Sequence, residues 1–115
     1  MKNVALGNTN LQASAVALGI MRMVSLNVDD AAKVLDTVTD KGVNFIDSAD
    51  IYGGGKSEEI FGQALKQSGV KREDLIIQSK GGIVLDPKRS HGDLVFGQRY
   101  DFSKQHLIEA VDGIL

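Results

Sequence analysis

Residues 45–55, FIDSADIYGGG, decide the predicted fold. An apolar strand over residues 43–47 ends in the carboxylate of Asp47, and the phenol of Tyr52 follows five residues later on a loop. The glycine turn at 53–55 then leads into a helix that begins near Ser57. This order of strand, loop and helix is typical of parallel α/β folds, in which ligands bind at the carboxyl ends of the strands. We therefore predict that Asp47 and Tyr52 lie at the ligand-binding edge of a parallel sheet.

Strands and helices alternate on both sides of this stretch. Short apolar runs at 15–19 and 75–80 predict two further strands, the first of them buried on both faces. Asn27 is a suitable N-cap for a helix between the first two strands, because Asp29 and Asp30 then fall at the positive end of the helix dipole. Strands joined by amphipathic helices at this spacing predict right-handed βαβ units in a parallel sheet.

The two ends of the chain carry different elements. Residues 2–14 predict a hairpin whose turn lies at 7–10. Residues 81–102 are rich in glycine and charge and predict a long loop, after which Ser103 caps a last helix. The face of that helix expected to be buried carries Leu107, Ala110, Val111 and Ile114.

The composition limits the classes of partner and compartment. Thirteen Lys and Arg stand against fifteen Asp and Glu, for a net charge of −2, so we expect neither nucleic acid nor a membrane surface as a partner. No run approaches the roughly 18 apolar residues of a membrane helix. The sequence contains no Cys, which excludes disulfides and thiolate metal sites and makes the cytoplasm the expected location. We assign no metal site, because His91 and one nearby Asp do not fill a metal shell.

Three parallel strands do not complete a sheet of this kind. A (β/α)₈ barrel takes about 250 residues, whereas this chain has 115 and its last helix ends on Ile114-Leu115 without a glycine cap. We therefore expect the chain to be a fragment of a larger α/β fold.

Lys80, at the end of the third predicted strand, adds a cation to the carboxylate and the phenol. Neighbouring strands lie about 4.8 Å apart, so Asp47 and Lys80 are expected to meet across adjacent strand ends. A phenol has a pKa of about 10, and a nearby ammonium lowers it by favouring the phenolate. The trio of Tyr52 as acid, Lys80 as its cation and Asp47 as the holder of that cation suits carbonyl reduction, for which a cofactor supplies hydride.

The stretch 42–53 (GVNFIDSADIYG) followed by 57–62 (SEEIFG) resembles the signature of the aldo-keto reductases, and the stretches 2–14, 17–19 and 75–80 resemble the family's hairpin, first strand and lysine strand. The resemblance implies an α/β fold that is the N-terminal part of a (β/α)₈ TIM barrel, with a bottom hairpin at 2–14 and about three β/α units within 15–115. It also implies NADPH as cofactor and small aldehydes or ketones as substrates. The implied catalytic residues are Asp47, Tyr52 and Lys80, and the residues implied to line the nicotinamide region are Gly19, Met21 and Asp47.

Two parts of the family pattern lie beyond residue 115. The family completes its catalytic group with a His at the end of the fourth strand, which neither His91 nor His106 can replace by position. The loops that hold the cofactor phosphates also come late in the barrel. We therefore expect these 115 residues alone to bind cofactor weakly or not at all and to be inactive.

Two alternatives remain open. One is a non-catalytic unit that associates with copies of itself through the open barrel edge, since unpaired strand edges favour such contacts. The other is a small nucleotide-binding module, suggested by the sequence Gly55-Lys56-Ser57 after two further glycines. Asp50 opposes the second alternative, because it occupies the position of the first P-loop glycine and its charge repels phosphate.

Overall fold

The computed structural model describes residues 1–85 and 97–115, and a three-stranded parallel sheet lies at its centre. The strands are β1 (Asn3–Ala5), β2 (Gln12–Ser14), β3 (Ala17–Gly19), β4 (Phe45–Asp47), β5 (Ile76–Gln78), β6 (Ile83–Leu85) and β7 (Gln98–Tyr100). The helices are α1 (Val28–Asp40), α2 (Lys56–Gln67) and α3 (Lys104–Ile114). The central sheet has the order β3-β4-β5, so the three predicted strands are present and parallel.

Helices α1 and α2 cover one face of this sheet. Asn27 caps α1 as predicted, because its side chain accepts a hydrogen bond of 2.8 Å from the amide of Asp30. The core lies between the helices and the sheet, where Leu35 of α1, Ala64 of α2 and Ile46 of β4 are fully buried. This packing leaves the opposite face of the sheet uncovered by any described helix.

The hairpin of β1 and β2 is fastened to the start of β4. The amide of Ser14 donates a 2.7 Å hydrogen bond to the side chain of Asn44, and the amide of Asn44 donates in return to the Ser14 hydroxyl at 3.1 Å. Asn44 immediately precedes β4, so the hairpin lies at the amino end of the strands, opposite the end that carries Asp47.

Strand β3 is more exposed than the sequence predicted. The pattern of the run at 15–19 indicated burial on both faces, but Ala17 and Gly19 are exposed and Leu18 is half-buried. In the described part of the chain β3 pairs with β4 alone and forms an edge of the sheet. The prediction was wrong for this chain because burial of such a strand requires a second neighbour and a covered second face.

The segment predicted as a loop over residues 81–102 contains a β-ribbon. Strands β6 and β7 pair antiparallel, with Val84 opposite Arg99. Gly82, at a φ of +109°, lies against the ring of Phe102, where an added Cβ atom would clash with the ring. The loop prediction was therefore wrong at both ends of this segment, while His91 lies outside the described residues.

Helix α3 begins as predicted but its apolar face is open. The hydroxyl of Ser103 accepts a hydrogen bond from the amide of His106, which confirms the predicted cap. Leu107 is 40% exposed and Val111 is 53% exposed, while Ala110 and Ile114 are half-buried. The expected burial of this face was wrong, because no residue of α3 is buried and Leu107 and Val111 are exposed. Within the described residues, no helix combines the length and apolar character needed to cross a membrane.

Candidate active site

The candidate site lies where β3, β4 and β5 end side by side. In the register of the sheet Gly19 is beside Asp47, and Asp47 is beside Gln78. Backbone pairing continues just past the strands, since the amide of Ile20 donates to the carbonyl of Asp47 at 3.0 Å and the amide of Ser48 donates to the carbonyl of Gln78 at 2.8 Å. These bonds hold the three strand ends at one edge of the sheet.

An ion pair joins two of these strand ends. The ammonium of Lys80 donates to Oδ1 of Asp47 at 2.7 Å and also to the carbonyl of Ser48. The side chain of Gln78 donates to the same Oδ1 at 3.0 Å. Because side chains alternate along a strand, Gln78 and Lys80 both face the side of the sheet that Asp47 faces. The contact predicted between Asp47 and Lys80 is present.

The glycine turn after β4 places Tyr52 next to this pair. The amide of Tyr52 donates to the carbonyl of Ala49 at 3.1 Å, which closes a tight turn. Gly53 and Gly54 follow at φ values of +59° and +64°, a left-handed conformation that glycine adopts at low cost. As a result the Lys80 ammonium lies 5.2 Å from the centroid of the Tyr52 ring, within the range of a cation–π contact.

The charge of Lys80 is stabilised by its neighbours. Burial by itself lowers the pKa of the Lys80 ammonium, but its hydrogen bond to Asp47 and its contact with Tyr52 outweigh burial and raise this pKa above its ordinary value of 10.5. Both side chains of the ion pair remain accessible, with 45% of Lys80 and 35% of Asp47 exposed. The site therefore holds a protonated ammonium beside a phenol, on the open side of the sheet.

The two other predicted site residues lie at the end of β3. Gly19 is exposed, and a Cβ atom placed on it would meet nothing within 4 Å. Met21 lies in the 3₁₀ turn Met21–Ser25, where its side chain is 54% exposed and its carbonyl accepts a 3.1 Å hydrogen bond from the buried Ser57 hydroxyl. Gly19 thus shares the strand-end register with Asp47, whereas Met21 is joined through its backbone to α2.

Two residues of the site carried no predicted role. Gln78 shares Oδ1 of Asp47 with Lys80, and its position two residues before Lys80 on a strand was the signal for it. Glu58, in the first turn of α2, accepts hydrogen bonds from the hydroxyls of Ser48 at 2.7 Å and Ser79 at 2.6 Å. The sequence gives no local signal for Glu58, because the two serines are ten and twenty-one residues away.

Asp50 lies behind the site beside Glu58. Burial raises the pKa of the Asp50 carboxyl and the charge of Glu58 raises it further, while the amide of Ile51 and the charge of His106 act in the opposite direction. The Nε2 atom of His106 is buried and has no hydrogen-bond partner among the described residues. Within residues 1–85 and 97–115 no cluster of three or more His, Asp or Glu side chains could hold a metal ion.

Comparisons with a family model, with related sequences and with solved structures point to the same protein family. Residues 15–115 match the model of the Aldo/keto reductase family. A versiconal hemiacetal acetate reductase from Aspergillus parasiticus is 32% identical over 130 residues, which cover 97% of this chain and 37% of that protein. A probable voltage-gated potassium channel subunit beta from Arabidopsis thaliana is 38% identical over 77 residues, 65% of this chain and 24% of that protein.

The structural comparison agrees with the sequence comparison. The holo form of an aldo-keto reductase from Bacillus halodurans superposes with a TM-score of 0.76 at 32% identity, over 100% of this chain and 35% of that one. The neighbours are TIM barrels, so the predicted fold class, part of a (β/α)₈ barrel, is confirmed. The chain spans about a third of the length of these two reductases.

Proposed function

The chain belongs to the aldo/keto reductase family, and from this premise we propose that the barrel built on these residues reduces aldehydes or ketones to alcohols with NADPH. The observation that carries the proposal is the Lys80 ammonium, 2.7 Å from Asp47 and 5.2 Å from the centre of the Tyr52 ring. Reduction of a carbonyl adds a hydride to carbon and a proton to oxygen, so that the products are an alcohol and the oxidised cofactor. A protein site for this reaction must supply the proton and stabilise negative charge on oxygen.

Tyr52 is the proton donor in this proposal. Its hydroxyl gives a proton to the carbonyl oxygen as negative charge develops there, which leaves a phenolate. The Lys80 cation stabilises that phenolate, because an opposite charge within about 4–6 Å favours the ionised form. Asp47 holds Lys80 by a 2.7 Å hydrogen bond beside the phenol ring and keeps it charged, since that bond raises the pKa of the Lys80 ammonium against the effect of burial.

The residues at the end of β3 fit the nicotinamide portion of the cofactor. NADPH, when bound, supplies the hydride. Gly19 offers exposed backbone on which a Cβ atom would meet nothing within 4 Å, so a flat ring meets no side chain there. The exposed side chain of Met21 adds apolar surface beside it. We propose that Gly19, Met21 and Asp47 line this part of the cofactor site.

We further propose that residues 2–14 form the hairpin that closes the bottom of the barrel and that residues 15–115 supply its first three β/α units. The attachment of Ser14 to Asn44, at the amino end of β4, supports this placement. The family resemblance puts the fourth catalytic residue and the phosphate-binding loops beyond residue 115. Residues 1–115 alone are therefore expected to lack turnover.

The test of the proposed function is aldehyde-dependent oxidation of NADPH. We compare the 115-residue chain (the printed chain) with a version extended through the remaining barrel. Each protein is mixed with NADPH and a reactive aldehyde, and the loss of NADPH absorbance and the amount of alcohol formed are measured. We expect the extended protein to form one alcohol for each NADPH consumed and the printed chain to form none. An inert extended protein contradicts the reductase proposal, while turnover by the printed chain contradicts the need for the later elements.

A second candidate function is favoured by the open surfaces. Strands β3 and β5 are both edges of the described sheet, and α3 exposes Leu107, Ile108 and Val111 at 40–53%. Such edges and faces favour pairing with a second copy of the chain. Under this alternative the printed chain is a self-associating structural unit, and sedimentation over a range of concentrations would show a dimer or larger species. A monomer at all concentrations contradicts it.

A further inference from the structure

Glu58 joins the two strand ends that carry the ion pair. Its Oε1 accepts a hydrogen bond of 2.7 Å from the hydroxyl of Ser48 and one of 2.6 Å from the hydroxyl of Ser79. Ser48 directly follows Asp47 and Ser79 directly precedes Lys80. One carboxylate oxygen is therefore bound to both neighbours of the ion pair.

We propose that Glu58 is a positioning residue, which sets the separation of Asp47 and Lys80 by holding Ser48 and Ser79 together. It acts through these two serines and does not itself touch the reacting atoms. The inference rests on the proposed reductase function for its catalytic consequence, but the positioning itself can be measured without activity.

The strand pairing alone does not fix Lys80. The regular ladder ends at Asp47 and Gln78, so Lys80 lies two residues beyond the last paired position of β5. Past this point two backbone hydrogen bonds link the segments, from the amide of Ser48 to the carbonyl of Gln78 at 2.8 Å and from the amide of Asp50 to the carbonyl of Lys80 at 3.0 Å. Side-chain bonds from Ser48 and Ser79 to Glu58 supply the remaining constraint.

The geometry of the serines makes this constraint effective. Because neighbouring side chains point to opposite faces, Ser48 and Ser79 face α2 while Asp47 and Lys80 face the open side. A serine hydroxyl is one rotatable bond from the backbone, so a hydrogen bond that holds the hydroxyl also restrains the backbone. Ser48 is also 2% exposed, and its carbonyl accepts a hydrogen bond from the Lys80 ammonium. A shift of Ser48 therefore moves both acceptors of the Lys80 ammonium: the Ser48 carbonyl itself and the carboxylate of the adjacent Asp47.

Variants can distinguish whether Glu58 acts as a hydrogen-bond acceptor for the two serine hydroxyls or through its negative charge. Glu58→Gln removes the charge but keeps a carbonyl oxygen that accepts both hydroxyl bonds. Glu58→Ala removes the acceptor as well. The double variant Ser48→Ala, Ser79→Ala keeps the charge and removes both bonds. Glu59→Ala is the matched control, because Glu59 is the next residue of α2 and is paired on the surface with Lys56 at 2.8 Å.

The first measurement is competitive acetylation of the printed chain, with the rate at each lysine read by mass spectrometry and the fold checked by circular dichroism. Loss of the constraint weakens the contact with Asp47 and leaves more of Lys80 unprotonated. We expect Lys80 to react about tenfold faster in Glu58→Ala and in the double serine variant, with wild-type rates in Glu58→Gln and Glu59→Ala. If either Glu58→Ala or the double serine variant fails to fold, the Lys80 rate in the other one tests the positioning role. A wild-type Lys80 rate in a folded variant that lacks both bonds overturns the inference, as does a rate in Glu58→Gln equal to that in Glu58→Ala.

The second measurement is the kinetics of the extended protein. We expect kcat to fall about 10- to 100-fold in Glu58→Ala, as displacement of a catalytic group does, with the KM for NADPH unchanged and with Glu58→Gln restoring most of kcat. An active wild type with an unchanged Glu58→Ala overturns the positioning role and leaves the reductase function standing. An inactive wild type contradicts the reductase function, and the acetylation rates then decide the positioning role alone.

Discussion

Gly53 is the position where a single methyl group has a calculable effect on the turn that presents Tyr52. Its φ of +59° is left-handed, and an L-residue in that conformation costs about 1–2 kcal/mol. A Cβ atom at Gly53 would also lie 2.8 Å from Cγ2 and 2.9 Å from Cβ of Val24. The second of these atoms moves only with the backbone, so overpacking adds about 1–3 kcal/mol. We predict that Gly53→Ala lowers the free energy of unfolding by about 2–5 kcal/mol.

Two other glycines separate the conformational cost from the clash. Gly54 has nearly the same φ, +64°, but its added Cβ would meet only Leu85 at 3.9 Å, an ordinary contact. Gly7, at +57°, would meet nothing within 4 Å. Each of these substitutions to Ala is expected to cost about 1–2 kcal/mol. Urea unfolding followed by circular dichroism, with equal slopes across the series, gives the differences. If Gly53→Ala is no more destabilised than Gly54→Ala, the packing of Val24 against this turn is wrong.

Three further predictions concern the core, the ion pair and the start of α3. Leu35→Ala, at a fully buried position, should cost about 2–5 kcal/mol in urea unfolding, and a loss comparable to that of an exposed-site substitution would refute the placement of the core. Asp47→Asn should lower the pKa of the Lys80 ammonium and speed its acetylation, because the burial of Lys80 remains while its partner charge is lost; an unchanged rate contradicts the pair. Hydrogen bonds from the backbone and side chain of Ser103 lower the pKa of the Asp101 carboxyl to about 2. The ionised carboxylate therefore stabilises the folded chain above the unfolded pKa of about 3.9, and this stabilisation is lost as the pH falls toward 2. A carboxyl NMR titration with its midpoint near 3.9 would contradict that contact.

The parallel strands and the contact between Asp47 and Lys80 could be predicted because both follow from local pattern and fixed sheet geometry. A carboxylate and an ammonium at the ends of neighbouring parallel strands lie close enough to form an ion pair, because the strand spacing is fixed at about 4.8 Å. Gln78 was predictable in principle from the same alternation. Glu58 was not, because its role depends on α2 lying over two serines that belong to different strands.

The misses at the surface have a different physical origin. The ribbon of β6 and β7 pairs residues about fifteen positions apart, and the apolar run from Ile83 to Leu85 is too short to indicate a strand within a segment rich in glycine and charge. For β3 and α3, hydrophobic pattern indicates which face prefers burial but not whether this chain contains the partner. Leu107 and Val111 therefore show the predicted amphipathic spacing and remain exposed.

The proposed reaction depends most on the phenol of Tyr52, which donates the proton to the carbonyl oxygen beside the Lys80–Asp47 pair. The sequence holds two tyrosines, which provides a matched pair of variants. Tyr100 is 68% exposed and stacks on Phe102, so Tyr100→Phe removes the same oxygen atom away from the ion pair.

The most direct measurement is the rate of aldehyde-dependent NADPH oxidation by the extended protein with each of these variants. We predict that Tyr52→Phe lowers kcat by about 10²- to 10⁴-fold, the contribution of a general acid, while NADPH binding is retained and Tyr100→Phe keeps the wild-type rate. A Tyr52→Phe protein as active as the wild type would show that Tyr52 is not the proton donor.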